Sequence, residues 1–371
     1  MLQKINLPFL IKLTCVLVSV ISIGYLLDIG KMIFAPLFFA FLISLLFLPF
    51  ANFLERKLRF KRGLSTLFSV LIMLLVLIGL IYFFGLQFSD LSDNWPQLQK
   101  QLIQSFGDLQ TWVSHTFHIK FSNQLKYLNE AGDKLLSSGT LILGTTLAVF
   151  TSSLAFIAFS LIFFIFILNY RRVLFNFIYT VFKEEHRGKV QEITTEIQKI
   201  IKKYIAGLFI QIFIVSILTS SILTILGVKY ALLLGVLTGI LNVIPYVGIF
   251  ISAIFASFIS FALGGTSKFL FVLIGYLGVH LLDGNIILPF VVGSKVKINA
   301  LFSFLIILIG ESLWGISGMF LGIPFLAILK IILDRIEGLK PWGALLGEEI
   351  KPVRPKRKLK LSKKITLEEQ D

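Results

Sequence analysis

The chain has 371 residues, of which 56% are hydrophobic and 15% charged, against about 45–50% and about 25% for an average soluble domain. That balance excludes an ordinary soluble domain and predicts an all-α polytopic membrane protein. A single cysteine, Cys15, excludes an intrachain disulfide framework and a cysteine-built metal site, and the net charge of +15 fits basic cytoplasmic loops against anionic lipid without invoking nucleic acid.

In chain order, residues 7–27 read as a first span that is retained, being too long for a signal-peptide core. Cys15 within it reads as a small buried hydrophobe. Residues 32–54 form a second span, with Pro36 and Pro49 near its ends, and residues 55–62 a dense basic loop. A third span covers 64–88. Each run reaches about 20 residues, enough for a ~30 Å hydrocarbon core. Residues 1–88 therefore read as an N-terminal scaffold of three spans.

Residues 89–139 are near neutral, and Leu98, Leu102, Phe106, Leu109 and Val113 recur at helical spacing. This predicts an amphipathic insert outside the bilayer core. His115 and His118 lack further ligands at metal-site spacing and read as solvated. Span four occupies 140–169 and is stopped by Arg171 and Arg172; residues 170–203 form a basic helical segment; span five covers 204–226. The positive-inside rule places the basic loops, the 338–371 tail and both termini in the cytoplasm, and the 89–139 insert outside.

Within residues 204–337, the stretch from about 230 is apolar but interrupted, and it predicts broken helices and re-entrant hairpins, giving about eight spans in all. Such breaks survive at membrane depth only where protein buries them or where they line a wet cavity. The densest interruption holds His280, Asp283, Gly284, Asn285 and Pro289. A carboxylate at bilayer depth costs at least ~2.5–3.5 kcal/mol on insertion scales and marks a function by default. His280 and Asp283, at i and i+3, share a helix face, and Gly284 offers a helix end through a positive φ. Asp283 and Asn285 equally suit capping of free backbone groups at that break, and pairing with Lys295 or Lys297 is a third possibility.

A second interruption carries Asn242, Pro245, Tyr246 and Gly248. Proline removes a backbone donor there, so the freed groups and two polar side chains can ring a polar solute, or the site is a packing kink. Glu311, between apolar runs, is either a coupling carboxylate or a residue of the water interface. Gly315, Gly318 and Gly322 form a smooth stripe for close helix approach. Zinc-protease, nucleophile-elbow and phosphate-loop signatures are missing from the sequence, which argues against an enzyme and against a cofactor.

Three groups in order, Pro245, Tyr246 and Gly248, then Asp283, Gly284, Asn285 and Pro289, then Trp314, Gly315, Gly318, Gly322 and Pro324, resemble the autoinducer-2 exporter family, also called PerM-like permeases. The resemblance implies a bacterial inner-membrane, multi-pass, homo-oligomeric exporter of a small polar solute, with the first two groups on the translocation path. Some members look like sodium(lithium)/proton antiporters. The chain departs from the pattern at His280, at Ile298, Asn299 and Ala300, and at Gly310 and Glu311. The expected activity is solute export by alternating access, with Asn242, Tyr246, His280, Asp283 and Asn285 on the path and Asp283 as a proton carrier. Antiport, with Asp283 and Glu311 as ion ligands, is the alternative. A non-transporting membrane scaffold is the alternative of another class.

Overall fold

The computed structural model describes residues 8–117, 124–244, 247–291 and 298–347. All regular elements among the described residues are helical, and seven are long and apolar enough to cross a membrane by length and composition. In chain order they are α1 (Phe9–Ile29), α2 (Lys31–Arg56), α3 (Arg62–Asp93), α4 (Trp95–Phe117), α5 (Gln124–Val181) and α6 (Glu184–Ile225). There follow α7 (Ala231–Leu241), α8 (Val247–Leu282), a π-turn (Asp283–Ile287), α9 (Leu288–Val291), α10 (Ala300–Arg335) and α11 (Lys340–Leu346).

Two of the long helices fold back on themselves. In α8 the backbone reverses at Gly265, φ 66° and ψ −165°, a region that only glycine enters cheaply. The limbs meet along Phe250 and His280, whose rings lie 6.0 Å apart, and at Phe261 and Phe269. In α10 the reversal is at Trp314 and Gly315 (φ 61°). Gly310 then lies against the Gly318 backbone and Gly322 against Ile306, so close that a Cβ at Gly310 or Gly318 would strike main chain. The expected smooth stripe is therefore split. Gly318 and Gly322 make the close approach, and Gly315 is the turn itself.

These reversals fix two ends of the bundle. At one end Lys268 donates to the Gly227 carbonyl (2.8 Å), Ser105 of α4 to that of Ala262 (3.4 Å), and the Trp314 indole to that of Leu27 (2.9 Å). At the opposite end Arg171 pairs with Glu55 (2.6 Å), Arg335 with Glu192 (2.9 Å), and the Asn299 amide donates to the Leu346 carbonyl (2.9 Å). Small side chains tie α3 to α2, where buried Ser65 donates to the Ala51 carbonyl (2.8 Å). On α7, Gly235 and Gly239 lie against Ser220 and Ser216 of α6, so that the two run as a tight antiparallel pair.

Several boundaries differ from expectation. Arg171 and Arg172 do not stop α5, which runs on to Val181. Arg171 donates to the Leu168 carbonyl, to Asn52 and to Glu55, and Arg172 donates to Glu55. With both charges met locally, nothing forces the helix to end. The 170–203 segment is thereby divided between α5 and α6 at Phe182 and Lys183. Cys15 is exposed on α1 rather than buried, because α1 packs on little of its own chain.

Candidate functional site: a buried carboxylate held by two carboxamides

The second limb of α8 turns one stripe inward: Val272, Tyr276, Val279, Asp283 and Ile287 are all buried. Their spacing of three to four residues is that of one helix face. Asp283 is the one acid on this stripe, with 7% of its surface exposed. Gln211 of α6 donates from Nε2 to both carboxylate oxygens, at 2.9 and 3.1 Å. Asn242, which caps the C-terminus of α7, donates from Nδ2 to Oδ2 at 2.8 Å. The carboxylate thus ties together α6, the end of α7 and the π-turn.

Geometry fixes the depth of this cluster. Gln211 lies 14 residues before the end of α6 and Asn242 follows an 11-residue helix. At 1.5 Å per residue both sit roughly 16–21 Å from the Gly227 end, which is about half the ~30 Å thickness of a hydrocarbon core. One turn higher, the Thr238 hydroxyl donates to the Leu234 carbonyl (2.6 Å) and lies 2.8 Å from the Tyr276 hydroxyl, which must therefore donate to it. A short polar column runs through the apolar packing of α6, α7 and α8.

Asp283 and its partners are held but not neutralised. Both donors are carboxamides, not cations. A hydrogen bond to a charged group contributes about 1.5–3 kcal/mol, while removing an ion from water costs several kcal/mol even after relaxation. Because an ionised carboxylate only accepts, Gln211 must present its nitrogen to it. Its Oε1 is thereby turned away, buried and without a donor among the described residues.

The other expected residues take varied places. Asp283 and Asn242 lie within hydrogen-bond distance of each other. Gly248 closes the gap after α7, where a Cβ would strike the Leu241 carbonyl. Pro245, Tyr246, His118, Lys295 and Lys297 lie outside the described residues, as does the tail beyond 347. The expected helix end at Gly284 does not form. Gly284 has no positive φ, and the helix passes through it as a π-turn. Without water to take up freed backbone groups, a widened turn costs less than a break. Asn285, exposed, spends its amide on the Leu281 carbonyl of its own helix (2.9 Å), so local capping describes Asn285 but not Asp283. His280 makes no hydrogen bond to Asp283 among the described residues; it stands half-buried against Phe250, beside a cavity of about 300 Å³ between the α8 limbs. Pro289 and Glu311 are exposed, Glu311 beside the α10 turn. Gln211, Thr238 and Tyr276 were not foreseen. The signal for Gln211 was available: a lone amide in the middle of an apolar run.

The profile of the AI-2E family transporter matches residues 11–338. YueF of Bacillus subtilis (strain 168), named as a transport protein, is 27% identical over 316 residues, covering 80% of this chain and 82% of its own. YrrI of the same organism, named likewise, is 25% identical over 356 residues, covering 90% and 97%. The AI-2 transport protein TqsA of Escherichia coli (strain K12) is 33% identical over 128 residues, covering 34% and 37%.

Proposed function

The chain belongs to the AI-2E transporter family, and from that premise we propose that it moves a small polar solute across the bacterial inner membrane past Asp283. The observation that carries this reading is the carboxylate at mid-depth, joined to Gln211 and Asn242 beside the gap between α7 and α8. Intramembrane carboxylates that are not paired with a cation mark solute or ion pathways. Gaps between half-helices mark the same region in other secondary transporters.

In this reading the solute is an autoinducer-2-like metabolite, exported by alternating access, and the protein works as a homo-oligomer. A hydroxyl-rich solute suits the column, since Asp283 accepts and the carboxamides and hydroxyls of Asn242, Gln211, Thr238 and Tyr276 both donate and accept. The end with Glu55, Arg171 and Arg335 faces the cytoplasm, being the basic one. The α10 hairpin, reversing at a glycine, enters from that side, whereas the first limb of α8 starts at mid-depth beside the end of α7 and runs to the opposite end; with both hairpins the chain reaches about eight spans. Movement of α8 against α6 and α7 would break and remake the contacts of Asp283.

The test is transport in proteoliposomes, with candidate solutes chosen by an export screen in cells lacking the protein. Asp283→Asn is expected to reduce transport to background while elution and thermal midpoint stay near wild type. Wild-type transport rates in that variant would overturn the role of Asp283.

A second reading is sodium or lithium/proton antiport, favoured by one observation. Gln211 Oε1 is a buried oxygen without a donor next to a carboxylate, and such oxygens are what a small hard cation takes as ligands. Adding sodium or lithium to proteoliposomes that contain a pH dye should then give a pH jump that Asp283→Asn abolishes. An unchanged pH signal rejects antiport and leaves solute export.

A further inference from the structure

A large cavity lies away from Asp283. A cleft of about 930 Å³ opens between α2, α5, α6 and the second limb of α10, at the end of the bundle that carries the pairs Glu55–Arg171 and Glu192–Arg335. Its walls are apolar, among them Phe41 and Leu45 of α2, Phe175 and Ile178 of α5, Ile193 of α6 and Ile328 of α10. Among the described residues no Asp or Glu lines it, and its basic lining residues are Arg171, His186 and Lys189.

The charges differ in availability. Arg171 is taken up by Glu55 and Asn52. His186 stands 3.4 Å from Glu185. Lys189 is exposed and has no ion pair among the described residues. Around this mouth Arg171, Arg172, Lys183, Arg187 and Lys189 outnumber Glu55, Glu184 and Glu185. An apolar cleft with a cationic mouth fits a molecule with a long apolar body and an anionic head.

The surface beside the cleft identifies its source. Past Arg171, α5 still shows Val173, Phe177 and Val181 outward, each at least 60% exposed. These three large apolar side chains, broken only by the exposed Asn176 and Thr180, suit contact with lipid chains at the headgroup boundary. The mouth of the cleft is therefore reached from the bilayer boundary, where chain and headgroup arrive together.

We propose that this cleft binds one anionic phospholipid, its acyl chain between α2, α5 and α10 and its phosphate on Lys189. The site lies where α5 passes into α6 at Phe182 and Lys183. A lipid held there joins the first turns of α6, the helix that carries Gln211, to the second limb of α10. The inference depends on membrane embedding and not on which solute or ion is transported.

The test uses the full-length protein, depleted of lipid in detergent. A phosphatidylglycerol with a photoactivatable acyl chain is added, and labelled peptides are mapped by mass spectrometry. Labelling is expected at Phe175, Ile178 and Ile328. Excess phosphatidylglycerol should suppress it, whereas phosphatidylcholine of the same chains and inorganic phosphate should not. Removing one juxtamembrane charge changes affinity by about fivefold, and reversing it by more. Lys189→Gln should lower labelling by about that factor and Lys189→Glu further, while Lys100→Glu on exposed α4 should leave it unchanged. Four results would overturn the proposal: equal labelling by a phosphatidylcholine probe; competition by inorganic phosphate; unchanged labelling of a well-folded Lys189→Glu protein; or cross-links showing the cleft filled by a second copy.

Discussion

At Asp283 the decisive quantity is the number of donors around one buried carboxylate. Gln211 and Asn242 supply three contacts between 2.8 and 3.1 Å. Truncating either donor leaves the charge short of a partner, at a cost of about 1.5–3 kcal/mol. Gln211→Ala and Asn242→Ala should each lower the thermal midpoint in detergent, and the double variant should depart from the sum of the two, since both act on one group. Strict additivity would mean that the three side chains do not form one cluster. Asp283 and Asn242 were legible in the sequence, because a charge and an amide stood beside proline and glycine in apolar surroundings. Gln211 showed in the sequence only as a lone amide in an apolar run; no break accompanies it, and the packing of α6 on the π-turn brings it to the carboxylate. His280 was misplaced for a related reason. Asp283 continues the buried stripe from Val279 into the π-turn toward α6, while His280 stands at its edge and turns to Phe250.

Among the elements, glycine carries three different meanings, and the sequence separates them poorly. Gly265 and Gly315 reverse the chain through positive φ. Gly310 and Gly318 permit backbone contact, and Gly284 merely rides through a π-turn with open space beside it. The turns at Gly265 and Gly315 fall where glycine punctuates apolar runs. The false helix end at Gly284 used the same punctuation, and only the lack of water at that depth distinguishes it. Two substitutions and a control test the distinction. Gly265→Ala forces a side chain into a region that costs about 1–3 kcal/mol, and should lower the thermal midpoint although no atom obstructs the new methyl. Gly310→Val meets the Gly318 backbone and should separate the α10 limbs, with loss of folded protein on gel filtration. Gly278→Ala, where nothing lies within 4 Å, should do neither. A Gly310→Val protein as stable as wild type would show that the limbs do not pack through these glycines.

For the whole molecule, the apolar surface that remains outside sets the argument. The most apolar window of α1 buries none of its residues within the chain; the hydrogen bond from Trp314 to the Leu27 carbonyl and the short turn to α2 hold its far end. Lipid covers such a helix adequately, but so does the same helix of another copy, and a homo-oligomer built on α1–α3 requires the second. The chain supplies its own probe, since Cys15 is its single cysteine and stands exposed on α1. In native membranes, mild oxidation with copper phenanthroline should give a disulfide-linked dimer that Cys15→Ser does not form. The bond needs Cα atoms within about 7 Å, so it reports α1 against α1 and not mere crowding. If Cys15 instead stays monomeric while reacting freely with a membrane-permeant maleimide, α1 faces lipid. A homo-oligomer would then have to form elsewhere, and the exposed face of α3, where Leu75, Val76, Ile78 and Tyr82 point outward, is the next surface to probe.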